Sequence, residues 1–131
     1  MRKIVLAAAL IGVLIGSPAN AAAGGPEESA RAPRTELTLS YQAAAGFAAA
    51  VVVTCDPAGG VHPQAEKVCR TLAKVNGNPA TIKPAKTMCT LEYAPITAAV
   101  TGTWRGQAVT WSKKFSNTCD MKRATGVLFT F

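Results

Sequence analysis

The residues with the clearest chemical potential are Met88-Cys89-Thr90-Leu91-Glu92-Tyr93-Ala94-Pro95. A cysteine stands near the head of the run, a proline closes it, and Leu91 puts a large apolar side chain in the middle. Thirty residues after Cys89 comes Cys119, within Phe115-Ser116-Asn117-Thr118-Cys119. A disulfide between the two would pin an extended segment in one shape. A pinned peptide with an apolar side chain at its centre is what a protease cleft accepts, and its rigidity spares the ordering cost a flexible peptide meets on binding. The opposing reading places Leu91 in the core of a strand.

Other chemistries find little support. His62 is the only histidine, and no serine sits in a G-x-S-x-G turn. A triad would need His62 with Asp56 or Asp120 and a distant serine, so His62, between Val61 and Pro63, reads as structural. No C-x-x-C pair exists, which argues against a zinc site. No metal or cofactor is expected. The basic residues fall in scattered pairs, Lys83 with Lys86, Lys113-Lys114 and Lys122-Arg123. Without a run of five like charges or interleaved aromatics, they read as a solvated cationic face, not as a nucleic-acid surface. An electrostatic pull toward acidic partners follows from the same charges.

The four cysteines, Cys55, Cys69, Cys89 and Cys119, gain meaning from the N-terminus. Arg2 and Lys3 precede the apolar stretch Ile4 to Ile15, Ser17-Pro18 breaks it, and Ala19-Asn20-Ala21 is an A-x-A cleavage site. The stretch falls short of the ~20 residues that span a bilayer. Residues 1–21 therefore read as a secretion leader, cleaved after Ala21 or, as second choice, Ala23, and the protein is expected outside the cell, free of the membrane. An even cysteine count in an oxidising compartment predicts two disulfides, with three pairings open. The sequential pairing closes one short and one longer loop. The whole chain carries 14 Lys and Arg against 7 Asp and Glu, and loss of Arg2 and Lys3 with the leader takes the net charge from +7 to +5. What remains is the length of one domain, with few aromatics and abundant alanine. Such a thin core calls for covalent staples.

The elements that must hold these residues follow from periodicity. Residues 22–34 are small, polar and rich in Pro and Gly, and read as a mobile tail before a domain over 35–131. Leu37, Leu39 and Tyr41 alternate with Thr38 and Ser40, predicting a strand over Thr35 to Gln42. Phe47 to Thr54 predicts a second, and Asp56 to Gly60 a loop. Ala65, Val68, Cys69 and Leu72 share one face of a helix over Gln64 to Val75, stopped by Asn76-Gly77-Asn78-Pro79. From that face Cys69 can reach back to Cys55. Ala80 to Thr87 is irregular. Ile96, Ala98, Val100 and Trp104 alternate with threonines and alanine, Arg105-Gly106 marks a tight turn, and Val109, Trp111 and Phe115 return on the same face. A turn after Cys119 and a last strand over Gly126 to Phe131 complete the reading. The fold class is α+β, an antiparallel layer of about five strands with one or two helices.

On this map the chain resembles the Streptomyces subtilisin inhibitor family over nearly all of Leu37 to Phe131. The resemblance lies in Val53-Thr54-Cys55 with Gly60-Val61-His62-Pro63 and Cys69, and in Met88-Cys89-x-x-x-Tyr93-x-Pro95. It lies also in Gly102-x-Trp104-x-Gly106, Phe115-Ser116-Asn117-x-Cys119-x-Met121 and Val127-x-Phe129-x-Phe131. It implies a secreted inhibitor of subtilisin-type, and by its Leu91 chymotrypsin-type, serine endopeptidases. The implied fold is a five-stranded antiparallel sheet with two helices on one side, and the implied disulfides are Cys55–Cys69 and Cys89–Cys119. The resemblance further implies a homodimer joined through its sheets, a scissile bond between Leu91 and Glu92, and loop support from Asn117. This sequence departs from many relatives at Thr90, where they carry proline, and at Ala94, where they carry aspartate. The alternatives are a disulfide-stapled binding module and an inhibitor of another protease class, such as a metalloprotease.

Overall fold

The computed structural model describes Gly16 and residues 34–131. The leader over 1–21 and the tail over 22–34 lie outside these residues, apart from Gly16 and Arg34. Two disulfides, Cys55–Cys69 and Cys89–Cys119, are formed, with Cα–Cα distances of 5.6 and 5.7 Å.

A five-stranded antiparallel sheet organises the described residues, in the order β3-β2-β1-β4-β5. Its strands are β1 (Thr35–Ala43), β2 (Ala48–Cys55), β3 (Gly59–Gly60), β4 (Ile96–Trp104) and β5 (Gln107–Phe115). Period-two alternation decides which face is covered. Leu37 and Leu39 of β1, Val53 of β2 and Ala98 and Val100 of β4 are wholly buried on one face. Between them Thr38, Ser40, Val52, Thr97 and Thr101 face outward. Cross-strand register keeps the apolar face continuous, pairing Leu37 with Val53 and Leu39 with Val100. A one-residue slip would turn that whole set to solvent.

Two helices cover the buried face. Helix α1 (Ala65–Ala73) buries Val68 and Leu72, and α2 (Thr118–Thr125) buries Met121 and Thr125. Val68, Leu72 and Met121 share one core cluster with the sheet residues, Leu128 and Phe129. Each buried Leu, Val or Phe contributes about 1.5–3 kcal/mol relative to exposure. The turn that follows α1 closes at Gly77, whose N–H donates to the Leu72 carbonyl at 2.9 Å; its φ of +74° suits glycine, and a Cβ there would meet the Trp104 side chain at 2.3 Å.

Two expectations need correction. The fifth strand is not Gly126 to Phe131 but Gly59–Gly60, a two-residue piece paired to Val53 and Thr54. Residues 126–129 run as turns and the last two residues have no regular structure, with the Leu128 N–H bonded to the Thr125 carbonyl and the Thr130 N–H to the Val127 carbonyl. The segment is held by side chains elsewhere. Tyr41 donates its hydroxyl to the Phe131 carbonyl at 3.0 Å and stacks on the Phe131 ring. The second correction is the turn expected after Cys119, where the chain forms α2 instead.

His62 belongs to the same fastening. Its Nδ1 accepts from the Gln64 N–H at 2.9 Å and its Nε2 donates to the Leu128 carbonyl at 3.0 Å. Both nitrogens are taken by backbone, which fixes the tautomer and leaves neither for a nucleophile. The structural reading of this residue holds.

Candidate functional site, the Met88–Pro95 loop

The position of the loop follows from a hairpin turn nine residue pairs away. Arg105 and Gly106 both have positive φ, 47° and 84°, the requirement of a two-residue turn whose twist matches its strands. Arg105 tolerates this because its N–H donates to Thr35 Oγ1 at 2.8 Å and its guanidinium pairs with Asp56 at 3.0 Å. The turn sets Trp104 opposite Gln107, and the ladder then runs without interruption to Ile96 opposite Phe115. The residues just before β4 are thereby delivered beside those just after β5. The Ala94 N–H donates to the Ser116 carbonyl at 2.8 Å, and the Pro95 carbonyl accepts from the Ala44 N–H at 2.9 Å.

The far side of the loop is tied to α2. Cys89 is bonded to Cys119 in the first turn of that helix. Further upstream, the Ala85 N–H donates to the Arg123 carbonyl at 2.9 Å. Residues 82–95 have no regular secondary structure, so these ties replace a ladder.

Asn117 holds the centre. It is 6% exposed and sits at the N-cap of α2, its Oδ1 accepting from the Asp120 N–H at 2.9 Å. Its Nδ2 donates to the Thr90 carbonyl at 3.2 Å and to the Glu92 carbonyl at 2.8 Å. The two bonds fall on either side of Leu91. Among the described residues, the Leu91 carbonyl between them takes no hydrogen bond. One amide therefore fixes the neighbours of Leu91 and leaves its own peptide group open.

The side chains of the loop point the other way. Leu91 is 101% exposed, Met88 94% and Tyr93 73%. The strand-core reading of Leu91 is excluded: it touches no core. Thr90, Glu92 and Ala94 are exposed as well, with Cys89 and Pro95 half-buried. A solvated leucine on an ordered backbone forgoes burial worth about 2 kcal/mol and makes sense as a group reserved for a partner.

Sequence reasoning placed Leu91, Glu92, Asn117 and both loop cysteines, and the structure brings them together. It missed Ser116 and Ala44, whose backbone groups hold the exit of the loop. Their role has no side-chain signal. It also missed α2, although Asn117 followed three residues on by Asp120 is an N-cap pattern that marks a helix start. Among the described residues no group of three or more His, Cys, Asp or Glu is arranged to hold a metal ion, and no helix is long and apolar enough to cross a membrane.

Comparison with known proteins bears on this geometry. Residues 32–117 match the model of a family described as subtilisin inhibitor-like. A subtilisin inhibitor of Streptomyces violaceus is 41% identical over 128 residues, covering 92% of this chain and 88% of that protein. A subtilase-type protease inhibitor of Streptomyces coelicolor is 35% identical over 127 residues, covering 93% and 85%. Among solved structures, Streptomyces caespitosus sermetstatin, crystallised in complex with Bacillus licheniformis subtilisin, superposes with a TM-score of 0.58. It covers 74% of this chain and all of its own, and at 22% identity the likeness is one of fold.

Proposed function

The chain belongs to the subtilisin inhibitor-like family, and from that premise we propose that it inhibits subtilisin-type serine endopeptidases with Met88–Pro95 as a substrate-like loop. One observation carries the reading: a fully exposed Leu91 on a backbone whose flanking carbonyls are both held by Asn117. Leu91 fills the primary specificity pocket, and Leu91–Glu92 is the bond offered. The open Leu91 carbonyl enters the oxyanion hole as the catalytic serine approaches.

Tightness and slow turnover share one cause. A flexible peptide loses freedom when it is bound, at about 0.5–1.5 kcal/mol for each side chain immobilised. Here Cys89–Cys119, Asn117 and Ser116 have already ordered the backbone. If the serine attacks, the Leu91 acyl group passes to the enzyme and the amine of Glu92 is freed. Glu92 stays tethered through its own carbonyl, and its amine can re-attack the acyl carbonyl and expel the serine. Well-aligned intramolecular attack reaches effective concentrations of about 10⁵–10⁸ M, which outruns water. Thr90 leaves the acyl side less stiff than proline would, and its bond to Asn117 partly offsets that.

An apolar Leu91 suits subtilisin-like and chymotrypsin-like pockets, whereas trypsin-like pockets take Lys or Arg. In the same reading, residues 1–21 direct export and are removed. The product is an extracellular homodimer joined through the outer sheet face, where Ser40, Thr97, Ala99 and Thr101 present small uncharged side chains. The test is an inhibition panel of subtilisin, chymotrypsin and trypsin, with mass spectrometry of any clipped protein. A Leu91→Asp variant as potent as the parent sinks the assignment. A Leu91→Lys variant is expected to gain trypsin inhibition.

A further inference from the structure

Beside the loop lies a surface that this mechanism does not use. A depression of about 560 Å³ runs between the loop stem Pro84–Thr87, the end of β5 and α2. Lys86, Lys113, Lys114 and Arg123 line it, against one carboxylate, Asp120. Arg123 and Asp120 pair with each other at 2.8 Å, so three ammonium groups remain. Lys113 lies over the Phe115 ring, at 5.2 Å, and among the described residues no carboxylate pairs with any of the three. Lys114 also lines the adjoining hollow of about 470 Å³ that reaches Pro95. The same cation therefore borders both the stem and the exit of the loop.

Distance decides whether a protease seated on Leu91 could meet these charges. A protein partner of ordinary size covers about 800 Å² on each side, a disc of about 16 Å radius. Lys86 stands five residues before Leu91, at most about 18 Å along a fully extended chain, and its side chain adds reach. The stem side of the depression therefore falls at the rim of any complex centred on Leu91. Rim charges act chiefly on encounter rate and on choice of partner, and salt screens them within about 8 Å at physiological strength.

We propose that this lysine-lined depression is a secondary contact for an acidic patch on the cleft rim of the target protease. The inhibitor then favours acidic subtilisin-type enzymes over basic ones with the same pocket. The inference rests on the loop reading above and deepens it.

The experiment measures association rates by stopped-flow with two probes, subtilisin and subtilisin succinylated on its surface amines, between 10 and 500 mM salt. Three proteins are compared: the parent, Lys86→Glu/Lys113→Glu, and Lys67→Glu/Lys74→Glu. The last pair carries the same charge change on exposed positions at α1, which packs on β2 and β3. At low salt the groove variant is expected to associate roughly tenfold more slowly with the succinylated enzyme than the α1 variant does. At high salt all three converge. Equal slowing by both variants would mean that overall charge acts and would overturn the groove. Unchanged rates in the groove variant overturn it too. A parent that inhibits neither enzyme overturns the loop reading itself, a result separable from the first two. Matching melting curves exclude misfolding as the cause.

Discussion

Leu72 and Leu91 carry the same side chain at opposite limits, 0% and 101% exposed. The region around Leu72 is ordered by burial: α1 lies on the sheet, and Val68, Val53 and Phe129 share its cluster. The region around Leu91 gains almost nothing from burial. It is ordered by a disulfide, by two hydrogen bonds from Asn117 and by backbone bonds to Ser116 and Ala44. Each region has its own disulfide, and the two do different work. Cys55 is 1% exposed and reinforces a contact that packing already makes. Cys89–Cys119 fastens a segment with no packing to fall back on. Burial fixes where atoms are by hiding them. A surface meant for a partner must be fixed by other means.

The contrast can be broken or sharpened by mutation. Leu72→Ala is expected to cost about 2–5 kcal/mol in chemical denaturation, while the folded fraction inhibits as before. A loss confined to inhibition would reverse the assignment of the two regions. Removing Cys89–Cys119 by paired serines should cost about 3–4 kcal/mol by loop entropy, and removing Cys55–Cys69 about 3 kcal/mol. Only the first is expected to turn the inhibitor into a substrate cut at Leu91–Glu92, as followed by mass spectrometry. Equal clipping of both variants would show that the loop borrows its order from the core. Asn117→Asp keeps an acceptor for the Asp120 N–H but sets a carboxylate against the Thr90 and Glu92 carbonyls. Its thermal stability is expected to stay within about 1 kcal/mol of the parent while clipping accelerates. If stability and clipping change in proportion, the helix and the loop are one unit. Leu91→Ala is expected to leave stability within about 0.5 kcal/mol, and a larger loss would mean that the side chain packs somewhere.

The core was legible because burial leaves a period. Leu37, Leu39, Val100 and Trp104 announced their strands, and Val68 and Leu72 their helix. The same logic misled at the C-terminus, where Val127, Phe129 and Phe131 alternate like a strand. Two of its carbonyls go to Tyr41 and His62 instead, across separations in sequence that no local pattern reveals. Helix α2 was hidden by its composition. Apart from Cys119, Thr-Cys-Asp-Met-Lys-Arg-Ala-Thr offers only Met121 and Ala124 as apolar residues, too few to set a period. The loop was legible in its residues and not in its shape. Leu91 could have sat in a core, and what keeps it out is the pair of bonds that Asn117 makes to Thr90 and Glu92, 27 and 25 positions away.

Those bonds share a property with a consequence beyond this one chain. Between Thr90 and Pro95, every tie is made to a main-chain atom: the carbonyls of Thr90, Glu92 and Pro95, and the N–H of Ala94. Among the described residues, no side chain in that stretch makes a hydrogen bond that holds the shape. Residues 90 to 94 are thus free to drift without unravelling the frame. On the proposed function, a lineage, or a laboratory library randomised at these positions, exchanges one target for another on the same scaffold.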